Sequence, residues 1–201
     1  MGWFRKETYC PPGIPLQGSF DSGWALDVHG ISRDGEWHRT TVGEKIYRLK
    51  YRGRRACGLW LARVCLKFLR RLDPPWEIDA IIAVPPSRPR RRLSPAETVS
   101  AKIARALGVP FLQGALYKTR PTRFVKEGLT FEQKQQIIRG TIALSKADMI
   151  EGKRILLMDD LFKSGATCEE AVLVLRSAFP AWIGFLTFTL AGGDQYQKKN
   201  D

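Results

Sequence analysis

The stretch from residue 155 to residue 167 constrains the fold of this chain more than any other part of its sequence. Its first four residues, Ile-Leu-Leu-Met, have the length and composition of a buried strand. Two acids, Asp159 and Asp160, follow, and a Ser-Gly-x-Thr loop then precedes a helical pattern that begins at about Thr167. The sequence therefore predicts a strand–loop–helix unit with two carboxylates at the carboxyl end of the strand.

The C-terminal half of the chain alternates short apolar runs with helical patterns. Ser94 and Glu97 have the three-residue spacing of a capping box, which marks the start of one of these helices. We predict further strands at residues 78–84, 109–112, 140–144 and 182–190, and helices at residues 94–107, 130–138 and 167–178. This alternation predicts an α/β fold with an open, mainly parallel sheet flanked by helices.

The N-terminal half is less regular. Two strands are predicted at residues 24–31 and 36–41, joined by a turn at Arg33-Asp34-Gly35, and two helices follow, from Val42 and over residues 54–72. We predict three parts of the chain: an irregular arm of residues 1–22, one domain of residues 23–191 and a polar tail of residues 192–201.

The loop after the acids has the features of a phosphate cradle. Gly165 allows close backbone approach, and the hydroxyls of Ser164 and Thr167 join the amides of residues 163–167 at a helix N-terminus. Carboxylates beside such a loop suit sugar hydroxyls or Mg²⁺. A polar strand end followed by an ordinary turn would explain each part singly, but not the combination. The spacing matches neither a Walker A loop nor a Gly-x-Gly-x-x-Gly dinucleotide fingerprint.

The charge of the chain indicates an anionic partner. Its 33 Lys and Arg residues exceed its 20 Asp and Glu residues by 13, and the pI is about 9.9. Nucleic acid, a membrane surface and a polyphosphate substrate all fit this charge. We expect no membrane span and no signal peptide, and therefore a cytoplasmic protein. The four cysteines form no Cys-x-x-Cys pair, which argues against a structural zinc site.

The acidic pair and its loop resemble the phosphoribosyl pyrophosphate (PRPP) signature of type I phosphoribosyltransferases. The resemblance implies that Asp159 and Asp160 contact the ribose hydroxyls and stabilise charge in the transition state. It also implies that the ribose 5′-phosphate is bound by Lys163, Ser164, Gly165, Ala166 and Thr167. Lys163 stands where the family usually has Thr or Ser. Mg²⁺ is the implied cofactor, held through PRPP, with the two acids as its candidate protein ligands.

Three further segments are similar to the ComF-type, competence-associated phosphoribosyltransferases. They are Lys50-Tyr51-Arg52-Gly53, Ala83-Val84-Pro85-Pro86 with its Arg-rich continuation, and Thr119–Ile142. The resemblance implies that pyrophosphate is bound by Pro86, Ser87 and Arg88. It implies a mobile loop carrying Lys118, Arg120, Arg123 and Lys126, and hood elements within residues 23–50 and 112–142. The Cys-x-x-Cys zinc module common in this group is absent, and Leu93–Ala96 replaces its usual Gly-Phe-Asn-Gln.

The resemblance implies an enzyme of nucleotide metabolism that transfers the phosphoribosyl group of PRPP to an unidentified acceptor and releases pyrophosphate. The alternative is a non-catalytic module of the same fold, either a sensor of PRPP or a nucleotide-like ligand, or an accessory factor that binds DNA or RNA in uptake, processing or defence. Its nucleic-acid patch would consist of Arg52, Arg54, Arg55, Arg63, Arg70 and Arg71. A homodimer and a protein partner both remain open.

Overall fold

A computed structural model describes residues 9–87, 92–122 and 128–192. The strands in these ranges are β1 Ile14–Pro15, β2 Ser22–Val28, β3 Gly30–Arg33, β4 Glu36–Arg39, β5 Ala80–Ala83, β6 Leu116–Lys118, β7 Ile142–Leu144, β8 Arg154–Phe162 and β9 Trp182–Leu190. The helices are α1 Thr41–Arg52, α2 Arg55–Leu69, α3 Pro95–Leu107, α4 Phe131–Ile138 and α5 Ala166–Arg176. A 3₁₀ turn, Ala147–Met149, precedes β8.

The central sheet has the strand order β1-β2-β9-β8-β5. Four of its strands are parallel, and only the two-residue edge strand β1 is antiparallel to its neighbour. In the register of the two middle strands, Leu157 lies opposite Phe185. The α/β class with an open, mainly parallel sheet flanked by helices is therefore confirmed.

Helices cover both faces of the sheet. Successive side chains of the parallel strands point to opposite sides, so each strand contributes residues to both packed faces. Leu157 and Phe185 pack on one face, in the same cluster as Val172 of α5. Leu156 packs on the other face, in a cluster that includes Leu61 of α2. All five side chains are completely buried. Such two-sided burial explains why the central strands are near-continuous apolar runs in the sequence.

The predicted N-terminal hairpin is wrong in its first strand. The structure divides residues 22–33 into β2, which joins the central sheet beside β9, and β3, which forms a separate hairpin with β4. The Oγ1 of Thr40 donates to the carbonyl oxygen of Val28 at 2.7 Å and accepts from the amide of Gly43, which caps α1. The sheet and the hairpin therefore separate at residue 29, a long-range pairing choice that local pattern does not specify.

The strand predicted at residues 109–112 is also wrong. Only one bridge forms there, between Phe111 and Ile81, and the amide of Ile81 donates to the carbonyl oxygen of Pro110 at 3.0 Å. Pro110 has no N–H group and cannot donate the hydrogen bond that a longer pairing with β5 would require. The structure instead contains β6, paired with β7 in a two-stranded ribbon. β6 has three residues, which are too few to show the alternation of apolar and polar residues that predicts a strand.

The predicted start of α3 is confirmed. The amide of Glu97 donates to Ser94 Oγ at 3.2 Å and the amide of Ser94 donates to Glu97 Oε2 at 2.7 Å, which completes the capping box of α3. Cys57 and Cys65 are buried in α2. None of the described helices combines the length and the apolar character that a membrane crossing requires.

Candidate active site

A cavity of about 200 Å³ opens at the carboxyl ends of β5 and β8. This edge of a parallel sheet is where open α/β folds bind ligands. The residues that line the cavity are Lys50, Val84, Pro85, Pro86, Ser87, Ser94, Pro95, Ala96, Lys118, Thr122, Asp159, Asp160, Leu161 and Thr167. The structure therefore brings together residues from three separately predicted segments: the acidic pair, the segment after β5 and the basic segment after residue 117.

The acids lie within β8 and not beyond its end, because β8 is longer than predicted. β9 continues to pair with β8 as far as Leu190, opposite Phe162. The extension fixes the backbone of both acids in the sheet. Consecutive residues of a strand point to opposite faces, so Asp159 and Asp160 reach the cavity from different sides of the strand.

The loop between β8 and α5 depends on one glycine. Gly165 has φ +81° and ψ −18°, a left-handed conformation, and α5 begins at the next residue. A Cβ atom at position 165 would lie 2.8 Å from the ring of Phe162. Of the remaining loop residues, Ala166 is buried, Thr167 lines the cavity and Lys163 is exposed. The loop can present backbone amides and the Thr167 hydroxyl at a helix N-terminus, which suits an anion.

The two acids have different electrostatic surroundings. Asp160 accepts a hydrogen bond and ion pair from Lys50 Nζ at 2.7 Å, and its amide donates to Asp159 Oδ1 at 2.7 Å. Burial, and then the charge of Asp160, raise the pKa of Asp159 to about 8, although the charge of Lys50 opposes this rise. The surroundings of Asp159 therefore favour its protonated form, whereas Asp160 is paired with an ammonium group.

Lys118 is the second cation of the cavity. Its ammonium donates to Thr141 Oγ1 at 3.1 Å, and burial lowers its pKa to about 8 against the opposing charges of Glu170 and Asp159. Glu170 is buried in α5 and accepts from the amide of Gly140 at 2.6 Å, which ties the β6–β7 ribbon to the helix that follows the loop. Lys118 therefore has a fixed position beside the acids.

The other predicted site residues divide between the cavity wall and its surroundings. Pro86 and Ser87 line the wall, and the Ser87 carbonyl oxygen accepts from the amide of Thr122 at 3.3 Å. This bond links the predicted pyrophosphate segment to the beginning of the predicted mobile loop. Arg120 is exposed and its guanidinium donates to the carbonyl oxygen of Arg139 at 3.4 Å. Three predicted residues, Arg88, Arg123 and Lys126, lie outside the described ranges.

Sequence reasoning missed several residues in the cavity wall and around it. Lys50 stood out only as part of a motif, with no role, because 110 residues separate it from its partner Asp160. Glu170 did not stand out, since an acid in a helical pattern resembles an ordinary surface residue. Ser94 stood out as a helix cap, and Pro95 and Ala96 only as part of a departure from the family pattern, but all three line the cavity. The sequence signal for Lys50 was its place in the Lys50-Tyr51-Arg52-Gly53 motif, whereas no sequence signal marked Glu170.

The side chains that line the cavity show which groups could hold a metal cofactor. No group of three or more His, Cys, Asp or Glu side chains that could hold a metal ion occurs within the described residues. Asp159 and Asp160 are the carboxylates of the cavity wall. Mg²⁺ is commonly held by one or two carboxylates together with substrate phosphates and waters. The site thus fits Mg²⁺ that arrives with a phosphorylated ligand, with Asp159 and Asp160 as the protein groups that would hold it.

A larger cavity, of about 480 Å³, lies at the opposite end of the strands. Its wall includes Trp24, Trp76 and Trp182, and Arg154 packs over the Trp182 ring at 5.0 Å. It contains neither the acidic pair nor the loop before α5. Size alone would favour this cavity, but the convergence of acids, lysines and a helix N-terminus favours the smaller one as the reactive site.

Comparison with known proteins gives structural matches only. No family model matches the sequence, and no curated protein matches it. The chain is similar to adenine phosphoribosyltransferase from Thermoanaerobacter pseudethanolicus, with a TM-score of 0.48 and 18% identity, over 87% of this chain and 90% of that one. It is similar to the Saccharomyces cerevisiae adenine phosphoribosyltransferase (TM-score 0.46, 14% identity, 87% and 89% covered). It is also similar to glutamine PRPP amidotransferase from B. subtilis (TM-score 0.44, 20% identity, 76% and 33% covered).

Proposed function

We propose that this protein binds PRPP with Mg²⁺ and transfers its phosphoribosyl group to an acceptor, with release of pyrophosphate. The observation that carries the proposal is the convergence, on one small cavity, of Asp159, Asp160 and Thr167 with Ser87 and Lys118. A sugar that carries phosphate groups at both ends needs this combination: acids for its hydroxyls, and a helix N-terminus and a lysine for its two anionic groups.

Each group has a role in the proposed reaction. The amides of residues 163–167 and the hydroxyl of Thr167 bind the 5′-phosphate, and Asp159 and Asp160 accept hydrogen bonds from the ribose hydroxyls. Lys118 and the Ser87 segment bind the pyrophosphate. The C1–O bond breaks with its electron pair leaving on pyrophosphate, and a nitrogen or other nucleophile of the acceptor forms the new bond to C1. Mg²⁺, when bound, neutralises charge on the departing pyrophosphate.

The charges of the cavity suit this bond cleavage. Positive charge develops at C1 as the bond breaks, and carboxylates beside the ribose stabilise it. Negative charge develops on pyrophosphate, where Lys118 lies on the wall. The hood elements that would select the acceptor are the β3–β4 hairpin with α1 and the β6–β7 ribbon with α4.

Calorimetric titration of the wild-type protein tests the proposal. In the presence of Mg²⁺ we expect PRPP to bind at least tenfold more tightly than either ribose 5-phosphate or inorganic pyrophosphate. Only PRPP would contact the loop before α5, the acidic pair and the wall that carries Lys118 at the same time. All titrations use the same ionic strength, so that the net positive charge of the protein is screened to the same extent in each. PRPP affinity no greater than that of pyrophosphate would indicate simple polyanion binding and contradict the proposal.

A second candidate function, nucleic-acid binding, is favoured by one further observation. All six arginines of the predicted patch are exposed, and Arg63 and Arg70 lie seven residues apart along α2 and its C-cap, which places them on one face of the helix. Arg52, Arg54 and Arg55 lie at the junction of α1 and α2. The patch is built on these two helices and includes none of the residues that line the smaller cavity.

Salt-dependent binding of a DNA or RNA duplex tests this second candidate. Neutralising Arg54, Arg55, Arg70 and Arg71 together is expected to reduce the slope of log affinity against log salt by about one for each phosphate that these side chains neutralise. The control variant neutralises four exposed basic residues on other elements, Arg33, Arg105, Lys146 and Lys153. Equal reductions in both variants would indicate a general charge effect, and absence of binding at low salt would contradict this function.

A further inference from the structure

Lys50 makes a contact that the proposed reaction does not use. Its ammonium lies 2.7 Å from Asp160 Oδ2, inside the cavity wall, with the two side chains 24% and 18% exposed. α1, which carries Lys50, is fixed to the core by Val42 and Ile46, which are buried. The helix therefore places a partly buried cation against one of the two carboxylates on which the proposed sugar contacts depend.

We propose that Lys50 exchanges partners when PRPP binds: it leaves Asp160, which the ribose hydroxyls then occupy, and its ammonium pairs with the pyrophosphate. The inference rests on the proposed function and assigns Lys50 as a further ligand-binding residue of the same cavity. It assigns two lysines of the cavity wall to the leaving group, Lys50 on α1 and Lys118 on β6.

Competition for one oxygen supports the exchange. Asp160 Oδ2 already accepts from Lys50, and the Asp159 carboxylate accepts from the amide of Asp160 at 2.7 Å. A ribose diol needs acceptor positions on this pair, and one of these oxygens, Asp160 Oδ2, already accepts from the Lys50 ammonium. An ammonium group has three donors on a flexible stem, and rotation of that stem can redirect it without movement of α1.

Charge supports the direction of the exchange. In the proposed reaction, positive charge develops at C1 beside the acids, where a nearby ammonium would oppose it. Negative charge develops on pyrophosphate, where an ammonium would stabilise it. The described residues give Lys50 Nζ one anionic partner, Asp160. The neighbouring His29 bonds through Nδ1 to Thr189 Oγ1 at 3.1 Å and supplies no negative charge that could replace it.

Lys50→Met tests the exchange, because two ligands should respond in opposite directions. PRPP affinity is expected to fall about tenfold, the effect of removing one hydrogen bond to a charged group. Ribose 5-phosphate lacks the pyrophosphate, so its affinity is expected to rise by about threefold once Lys50 no longer competes for Asp160. Both affinities are measured by calorimetry on the full chain with Mg²⁺.

Two variants serve as controls. Lys50→Arg keeps the charge and is expected to retain PRPP affinity within about threefold. Lys45→Met removes a cation of the same helix that packs over Trp60 at 5.5 Å, away from the cavity, and should change neither affinity by more than about twofold. A common unfolding temperature among the three variants shows that the fold is kept.

The outcomes separate this inference from the proposed function. Equal weakening of both ligands by Lys50→Met would mean that Lys50 only orders Asp160, and it would overturn the exchange while PRPP binding stands. Unchanged affinities for both ligands would also overturn the exchange. If the wild-type protein binds neither ligand, the proposed function itself fails, and the exchange fails with it.

Discussion

Asp159→Asn/Asp160→Asn is expected to weaken PRPP binding by about 100-fold. Asparagine keeps an acceptor oxygen but loses the charge, so each hydrogen bond from a ribose hydroxyl weakens from about 1.5–3 to about 0.5–1.5 kcal/mol, and two losses of about 1.4 kcal/mol account for the factor. The substitution also removes negative charge from the cavity wall. That change alone would strengthen the binding of a polyanion, so a fall in affinity can only come from loss of specific recognition.

The matched control changes charge without changing the site. Asp34→Asn/Asp148→Asn removes two exposed carboxylates in the β3–β4 turn and the 3₁₀ turn, and is expected to leave PRPP affinity within about twofold. Asparagine at position 34 tolerates the positive φ of 52° found there. Calorimetry with Mg²⁺ measures both variants. Undiminished binding in Asp159→Asn/Asp160→Asn would remove these acids from the site.

Gly165→Val is expected to lower PRPP affinity by a similar factor, about 100-fold, for a different reason. The residue needs a left-handed backbone, which costs a non-glycine residue roughly 1–2 kcal/mol, and more when it is β-branched. Its Cβ would also lie 2.8 Å from the Phe162 ring. Both conflicts displace the loop amides that would bind the 5′-phosphate, and loss of two charged hydrogen bonds gives the factor.

Gly108→Val separates the cost of a left-handed backbone at a substituted glycine from the displacement of the loop amides. Gly108 has φ +73° at the C-cap of α3, and a Cβ there would meet no atom within 4 Å. This variant is therefore expected to lower the unfolding temperature by a few degrees and to leave PRPP affinity unchanged. The measurements are thermal unfolding and PRPP calorimetry on both variants. Equal PRPP affinity in Gly165→Val and wild type would exclude the loop as the phosphate site.

Local sequence determined the pieces of this fold that depend on nearest neighbours. The apolar run before Asp159 specified the central strand β8, since a strand buried on both faces has that composition. Ser94 and Glu97 specified the start of α3, because a capping box uses only residues three apart. The parallel α/β class followed from the order of these pieces along the chain.

The tertiary structure decided what depends on long-range pairing. β9 extends β8 past Asp160, so the acids lie inside a strand and not after it. β2 joins β9, which lies near the other end of the chain, and leaves the hairpin that local pattern predicted. Pairing energies of this kind depend on partners that the local sequence does not contain.

The candidate site shows the same division. Asp159, Asp160 and the loop around Gly165 were identified from sequence, because one short stretch of chain carries them all. Lys50 was not, because its partner lies 110 residues further along the chain and only the packing of α1 against the sheet brings the two together. The sequence by itself determined which acids and which loop make up the candidate site. The tertiary structure decided which cations stand beside the acids, since contact between distant segments follows from packing and not from local pattern.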